Sequence, residues 1–174
     1  MHQLLLLRHA RAAPAEDGGS DKDRPLTPPG RRDATRLRRA MREFGLAPDL
    51  VLVSAARRTL ETLDVLEPWD DTPLIEPMED LYLAPAARLL DQLRDVAETV
   101  RSVLLIGHNP GLHELALDLT DPRLSALPLV TRLREGFPTA ALAEYTIAGP
   151  WSRLDTACAR LTRLLSPGDL NDPA

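Results

Sequence analysis

The sequence predicts an α/β fold, a three-layer α/β/α sandwich around a mostly parallel central sheet. Three observations carry this. Short apolar runs (Gln3–Leu7, Leu50–Val53, Val103–Ile106) alternate with stretches whose apolar residues recur at helical spacing, the pattern of strand–helix–strand units. Each run is apolar at both odd and even positions, as strands covered on both faces are. Each also stops abruptly at polar or turn residues: Arg8-His9, Ser54 and Gly107-His108. Open α/β sheets place ligands just beyond the carboxyl ends of their strands.

Taken in order, Gln3–Leu7 is the first buried strand. Ala12–Pro25 is polar, with Gly18-Gly19-Ser20 and the acidic residues Glu16, Asp17, Asp21 and Asp23, and reads as a mobile surface loop. Thr27-Pro28-Pro29 is a helix start, a Thr N-cap with proline in the first turn. Ala34, Leu37, Met41 and Phe44 follow at helical spacing, and Gly45 is a natural stop. Leu50–Val53 is the second strand, with a helix after it that Pro68 ends beyond Leu66. Thr72–Glu76 is a candidate short strand. Leu89, Leu90, Leu93, Val96 and Val100 mark an amphipathic helix from about Pro85. Val103–Ile106 is a strand, and Leu112 to about Leu119 a helix. A polar connection leads to Ala140–Ile147, and Thr156–Leu165 fits a strand or a helix equally well. No repeat or low-complexity tract interrupts this, so residues 1–174 are expected to form a single domain with a tail from about 166 to 174.

Composition narrows the function classes. At 174 residues the chain is long enough to bury a sizeable core, and with aromatics at 3% that core must rest on Leu, Val, Ile and Ala. A net charge of -5 argues against a nucleic-acid or membrane-surface binder, which needs a basic face. No apolar run reaches the roughly 18 residues of a membrane span. Leu4–Leu7 ends at Arg8, short of a signal-peptide core, so a cytoplasmic location is expected. The single cysteine, Cys158, permits neither an internal disulfide nor a cysteine-rich metal site.

If the strands are parallel, their carboxyl ends share one edge, and Arg8, His9, Arg58 and His108 converge there. Two guanidinium forks beside two imidazoles suit a tetrahedral phosphate dianion, because arginine binds phosphate oxygens bidentately and keeps its charge at any working pH. One imidazole can attack phosphorus while the other donates a hydrogen bond to a nonbridging oxygen. Each residue also has a plainer reading taken alone: Arg8 as a solvated strand flank, His9 as a structural histidine, His108 as a turn residue. His2 and His113 have no partner in the pattern and read as structural. The arginines after Thr27 and the acids of the 12–25 loop read as solvated charge, and Asp118 and Asp121 lack metal-ligand spacing.

The sequence resembles the histidine phosphatase superfamily, and within it the small SixA-type phosphohistidine phosphatases. The resemblance rests on Leu7-Arg8-His9-Ala10, Asp23-Arg24-Pro25-Leu26-Thr27 with Gly30, Ser54-x-x-x-Arg58-x-x-x-Thr62, Leu81-Tyr82-Leu83-Ala84, and Ile106-Gly107-His108-Asn109-Pro110-Gly111, joined by 137–142 and Trp151. These span nearly the whole chain in family order. The resemblance implies a phosphoglycerate mutase-like fold, with His9 as the transiently phosphorylated nucleophile. It also implies a phosphate pocket of Arg8, His9, Arg58 and His108, to which the Asn109 backbone amide contributes. Ala10 stands where glycine is common, a small change provided the backbone there is not left-handed. The proton-donor position of many relatives falls on Asp80, with Glu79 as runner-up.

The resemblance therefore implies a phosphatase that needs no metal and no cofactor, the arginine pair doing the charge work. Its partner is expected to be a phosphorylated protein such as a histidine-containing phosphotransfer domain, met by a monomer with an open site. Two other readings stand beside it: a phosphatase of small phosphoesters by the same mechanism, and a phosphate- or phosphoprotein-binding module with little turnover.

Overall fold

In the computed structural model, which describes residues 1–170, six strands form one sheet in the order β3-β2-β4-β1-β5-β6. The strands are β1 (His2–Arg8), β2 (Leu50–Ser54), β3 (Leu74–Met78), β4 (Ser102–Gly107), β5 (Leu142–Ile147) and β6 (Ala159–Leu165). β1 pairs in parallel with β4, and β2 with both β4 and β3. β5 runs antiparallel to both β1 and β6, so it alone reverses the common direction. The carboxyl ends of β1, β2 and β4 therefore lie along one edge.

Alternate residues of the buried strands feed opposite cores. Leu5, Leu7, Val51, Val53, Leu104 and Ile106 pack under Leu37 and Met41 of α1 (Pro28–Glu43) and Leu63 and Leu66 of α2 (Arg57–Leu66). Leu4, Leu6, Leu50, Leu52, Val103 and Leu105 face the other way. They meet Leu89 and Leu93 of α3 (Ala86–Arg94), Leu112, Leu115 and Leu119 of α4 (Gly111–Leu119) and Leu133 of α5 (Leu127–Glu135). This is the expected three-layer α/β/α sandwich.

Local chemistry sets the element ends. Thr27 caps α1 by accepting from the Gly30 N–H at 3.0 Å, with Pro28 and Pro29 in the first turn, and Gly45 turns left-handed (φ 65°) just past the end. β3 runs Leu74–Met78, two residues later than expected, on the sheet edge where Pro77 forfeits no ladder bond. β6 resolves the ambiguous C-terminal segment as a strand, with Ala159 and Leu161 buried and Arg160 and Thr162 exposed.

Two expectations are corrected. The helix from Pro85 ends at Arg94 rather than near Val100; Val96 and Val100 still join the core, but from a turn, so their spacing extended the helical pattern beyond the helix. The polar connection before residue 140 contains α5, which buries only Val130 and Leu133. So thin an apolar face gives little periodicity to read.

The two ends of the 12–25 segment are bridged to each other, Ala12 pairing with Leu26, and its Asp21–Asp23 part forms a 3-10 turn capped by Ser20. Of the expected C-terminal tail, Pro167–Asp169 forms a capped turn and Asp169 pairs with Arg132. Residues 171–174 lie outside the described part. Among the described residues no helix is long and apolar enough to cross a membrane.

Candidate active site

The β1–β4 register places Arg8 opposite Gly107, so the next residues on each strand, His9 and His108, emerge side by side at the carboxyl edge. The His9 N–H donates to the Gly107 carbonyl at 3.2 Å, and the two rings stand 5.3 Å apart, centroid to centroid. Ser54 ends β2 beside them, and Arg58 comes in on the first turn of α2. All four expected residues are thus brought together. His9 and His108 are buried, Arg58 is only 2% exposed, and Arg8 is half-buried.

Each of the four is held through at least one group and leaves another unpaired. His9 Nδ1 donates to the Ala10 carbonyl at 2.7 Å; an oxygen that can only accept fixes the proton on Nδ1 and leaves a lone pair on Nε2. His108 Nε2 lies 2.7 Å from Ser54 Oγ. That hydroxyl also accepts from the Ala56 N–H at 3.4 Å and still has its own proton to give; when it donates to Nε2, the His108 proton sits on Nδ1. Arg8 gives Nη1 to the Phe137 carbonyl at 3.1 Å, and Arg58 gives Nη1 to the Asp21 carbonyl at 2.8 Å. Arg8 Nε, Arg58 Nε and His108 Nδ1 are buried with no hydrogen-bond partner. Buried donors left unmade cost stability, and on residues gathered at one strand edge they suit an oxyanion.

Electrostatics agree. Burial, with Arg58 and Arg8 nearby, pulls the His9 pKa down to about 4 against the opposing pull of its bond to Ala10. Burial, then Arg58 and His9, bring His108 to about 3. Both imidazoles are therefore neutral near pH 7, one with an exposed lone pair and the other with an N–H to give.

The surrounding motif residues have visible tasks. Thr62 Oγ1 accepts from the Ala10 N–H at 3.0 Å and donates to the Arg58 carbonyl at 2.7 Å, tying the β1 turn to α2. Ala10 is fully buried and its φ is not positive, so its methyl fits where a glycine is common. A Cβ on Gly111 would stand 1.9 Å from the Ala84 carbonyl oxygen, and that close approach brings the 81–84 segment over His108. Tyr82 then meets His108 edge-on at 5.6 Å. Asn109 is half-buried, its side chain donating to the Phe137 carbonyl at 2.8 Å.

The acid candidates are placed differently. Asp80 is exposed and paired with Arg88 at 3.9 Å, and Glu79 is exposed and paired with Lys22. Neither touches the four pocket residues. The carboxylate that does is Asp21, read from the sequence as loop solubility: it accepts from Arg58 Nη2 at 3.2 Å and from the Tyr82 hydroxyl. Only tertiary proximity exposes this role, since Asp21 sits in a polar loop 37 residues before Arg58. His2 and His113 have structural partners, the Gly149 carbonyl at 3.0 Å and the Leu133 carbonyl at 2.6 Å. Among the described residues no group of three or more His, Cys, Asp or Glu is placed to hold a metal.

Comparison with known proteins points the same way. Residues 4–81 match the model of the histidine phosphatase superfamily, branch 1. An uncharacterized protein of Mycobacterium tuberculosis is 34% identical over 155 residues, covering 89% of this chain and 96% of its own length. SixA from Agrobacterium tumefaciens superposes with a TM-score of 0.81 at 30% identity, over 95% of this chain and 98% of that one. The protein histidine phosphatase SixA complexed with tungstate superposes at 0.75, with 25% identity over 97% and 99% of the two chains. The strand-edge pocket and these matches together place the chain in the histidine phosphatase superfamily, branch 1, with the SixA-type proteins.

Proposed function

We propose that this protein removes phosphate from phosphohistidine in a partner protein, through a phosphorylated His9. The observation that carries the reading is the His9 geometry: Nδ1–H bound to the Ala10 carbonyl, burial keeping the ring neutral, and Nε2 open to attack. Arg8 and Arg58 balance the phosphate dianion that would otherwise repel a nucleophile, and His108 Nδ1–H donates to a nonbridging oxygen. Nε2 bonds to phosphorus as the bond to the leaving group breaks. Water then attacks phospho-His9, the P–Nε2 bond breaks, and His9 returns neutral with phosphate released. The arginines supply the positive charge that a metal ion supplies in other phosphoryl-transfer sites.

The leaving group narrows the substrate. An alkoxide needs a strong proton donor, and Asp80 and Glu79 are engaged with Arg88 and Lys22 rather than with the pocket. An imidazole leaving group needs far less help, which favours a phosphoramidate over an unactivated ester. The SixA-type neighbours support the same direction.

The test is phosphate release from a histidine-phosphorylated phosphotransfer domain, with p-nitrophenyl phosphate in parallel, for wild type and His9→Ala. Release from the phosphoprotein that disappears in His9→Ala is the expected result. Activity on the ester alone would make the protein a small-phosphoester phosphatase, and phosphate binding without turnover on either substrate would make it a binding module.

A further inference from the structure

The phosphate-binding guanidinium already carries an anion from its own chain. Arg58, 2% exposed, gives Nη1 to the Asp21 carbonyl at 2.8 Å and Nη2 to the Asp21 carboxylate at 3.2 Å. The two carboxylate oxygens of Asp21 collect further donors as phosphate oxygens would: the Tyr82 hydroxyl on one, and Arg24 Nη1 at 3.0 Å on the other. Of the three guanidinium nitrogens, Nε has no partner. The Asp21 backbone carbonyl holds the guanidinium through Nη1 without adding a charge. The carboxylate adds a negative charge at the rim of a pocket built for a dianion, where like charges repel. It is carried on a three-residue turn, capped by Ser20, that has no buried side chain and so little packing to overcome if it moves.

Resting on the phosphate pocket described above, we propose that Asp21 is a positioning residue that competes with phosphate for Arg58. It holds the guanidinium ready in the free enzyme and yields Nη2 to the incoming phosphoryl group. It then takes Nη2 back and expels inorganic phosphate once phospho-His9 is hydrolysed. Tyr82 belongs to the same device, because its hydroxyl holds the carboxylate while its ring lies edge-on to His108. The arrangement limits product inhibition in a pocket that would otherwise retain its product.

The proposal has an unusual sign, which separates it from a structural role. A residue that merely shapes the pocket weakens phosphate binding when it is changed; a competitor strengthens it. Inorganic phosphate is titrated by calorimetry into wild type, Asp21→Asn and Asp21→Glu at fixed pH and ionic strength, with melting curves to confirm folding. Asp21→Asn keeps the backbone carbonyl and the side-chain shape but loses the charge, and is expected to bind phosphate at least about tenfold more tightly. Asp21→Glu restores the charge and returns affinity toward wild type. Phosphate binding in Asp21→Asn that is weaker than, or within twofold of, wild type overturns the proposal while the pocket reading stands. No phosphate binding to any of the three overturns both. Arg58→Ala, expected to lose binding in every background, identifies the site being measured.

Discussion

His9 and Ala10 are joined by a hydrogen bond that sets the chemistry of the pocket: Nδ1–H donates 2.7 Å to the carbonyl of the very next residue. A contact so local leaves the ring one face to present, and the facing nitrogen, Nε2, is the unprotonated one.

That neutrality makes a pH prediction. The His9 and His108 pKa values are depressed, to about 4 and about 3, whereas an unfolded histidine titrates near 6.5. Between those limits the unfolded chain binds protons that the folded chain does not, so stability falls as pH drops from about 6.5 toward 4. Each histidine contributes a slope of up to about 1.4 kcal/mol per pH unit. Denaturant unfolding at pH 7, 6 and 5 should show this slope in wild type and a shallower one in His108→Asn. Equal slopes would mean that His108 already titrates normally in the folded state. By the same depression, kcat/KM should show no loss from His9 protonation near pH 6.5.

Ser54→Ala tests the tautomer of His108. A hydroxyl donating to Nε2 would keep the His108 proton on Nδ1, and the variant leaves a buried Nε2 without a partner. The expected costs are about 1–3 kcal/mol of stability and a roughly tenfold to hundredfold fall in kcat, the range of an unmade buried hydrogen bond. A variant as active as wild type would show that His108 donates without help from Ser54.

Arg58→Lys keeps the charge and loses the fork. Lysine offers a point charge on a flexible stem and cannot hold the Asp21 carbonyl while giving phosphate two N–H groups from the same plane. Losing two charge-assisted hydrogen bonds, each about 1.5–3 kcal/mol, predicts at least a hundredfold fall in kcat/KM. Steady-state kinetics on the phosphoprotein decide this, and a fall below tenfold would make charge alone sufficient.

Much of this was legible in the sequence because the signals are local. The Leu4–Leu7 and Val103–Ile106 runs announce strands buried on both faces, and each ends two residues before a pocket histidine, so sheet direction alone brings His9 to His108. Arg58 follows from its spacing to Ser54, half a strand end and one helix turn away. What stayed hidden depends on tertiary contact or thin patterning. Nothing in the Gly18–Asp23 stretch distinguishes Asp21 from its acidic neighbours until the loop folds back onto Arg58. Tyr82 had a motif around it but no role until Gly111 let Ala84 approach α4. α5 was missed because two buried side chains in nine residues make too faint a period.

Asp80→Asn and Glu79→Gln measure how far the reaction depends on a proton donor at those positions. A working general acid is worth about 10²–10⁴ in rate. Both side chains are exposed and engaged outside the pocket, so each variant should keep phosphohistidine turnover within about tenfold of wild type, far below that loss. A hundredfold drop in Asp80→Asn, with phosphate affinity unchanged, would restore Asp80 as the acid.

Gly111→Ala tests whether the site depends on a close backbone approach made far from the chemistry. The added Cβ would lie 1.9 Å from the Ala84 carbonyl oxygen and 3.2 Å from the Pro85 carbonyl carbon. Neither is a side chain able to swing aside, so α4 and the 81–84 segment must separate. Overpacking of this kind costs about 1–3 kcal/mol or more. The displaced segment carries Tyr82, which touches both His108 and Asp21, so activity should fall by more than the loss of folded protein explains. Gly149→Ala is the matched control: no atom lies within 4 Å of its Cβ position, and its φ is not positive. Its stability should stay within about 0.5 kcal/mol of wild type. Melting temperature and kcat measured on both variants give the answer, and a Gly111→Ala protein that melts and turns over like Gly149→Ala would remove the close approach as the reason Tyr82 reaches the pocket.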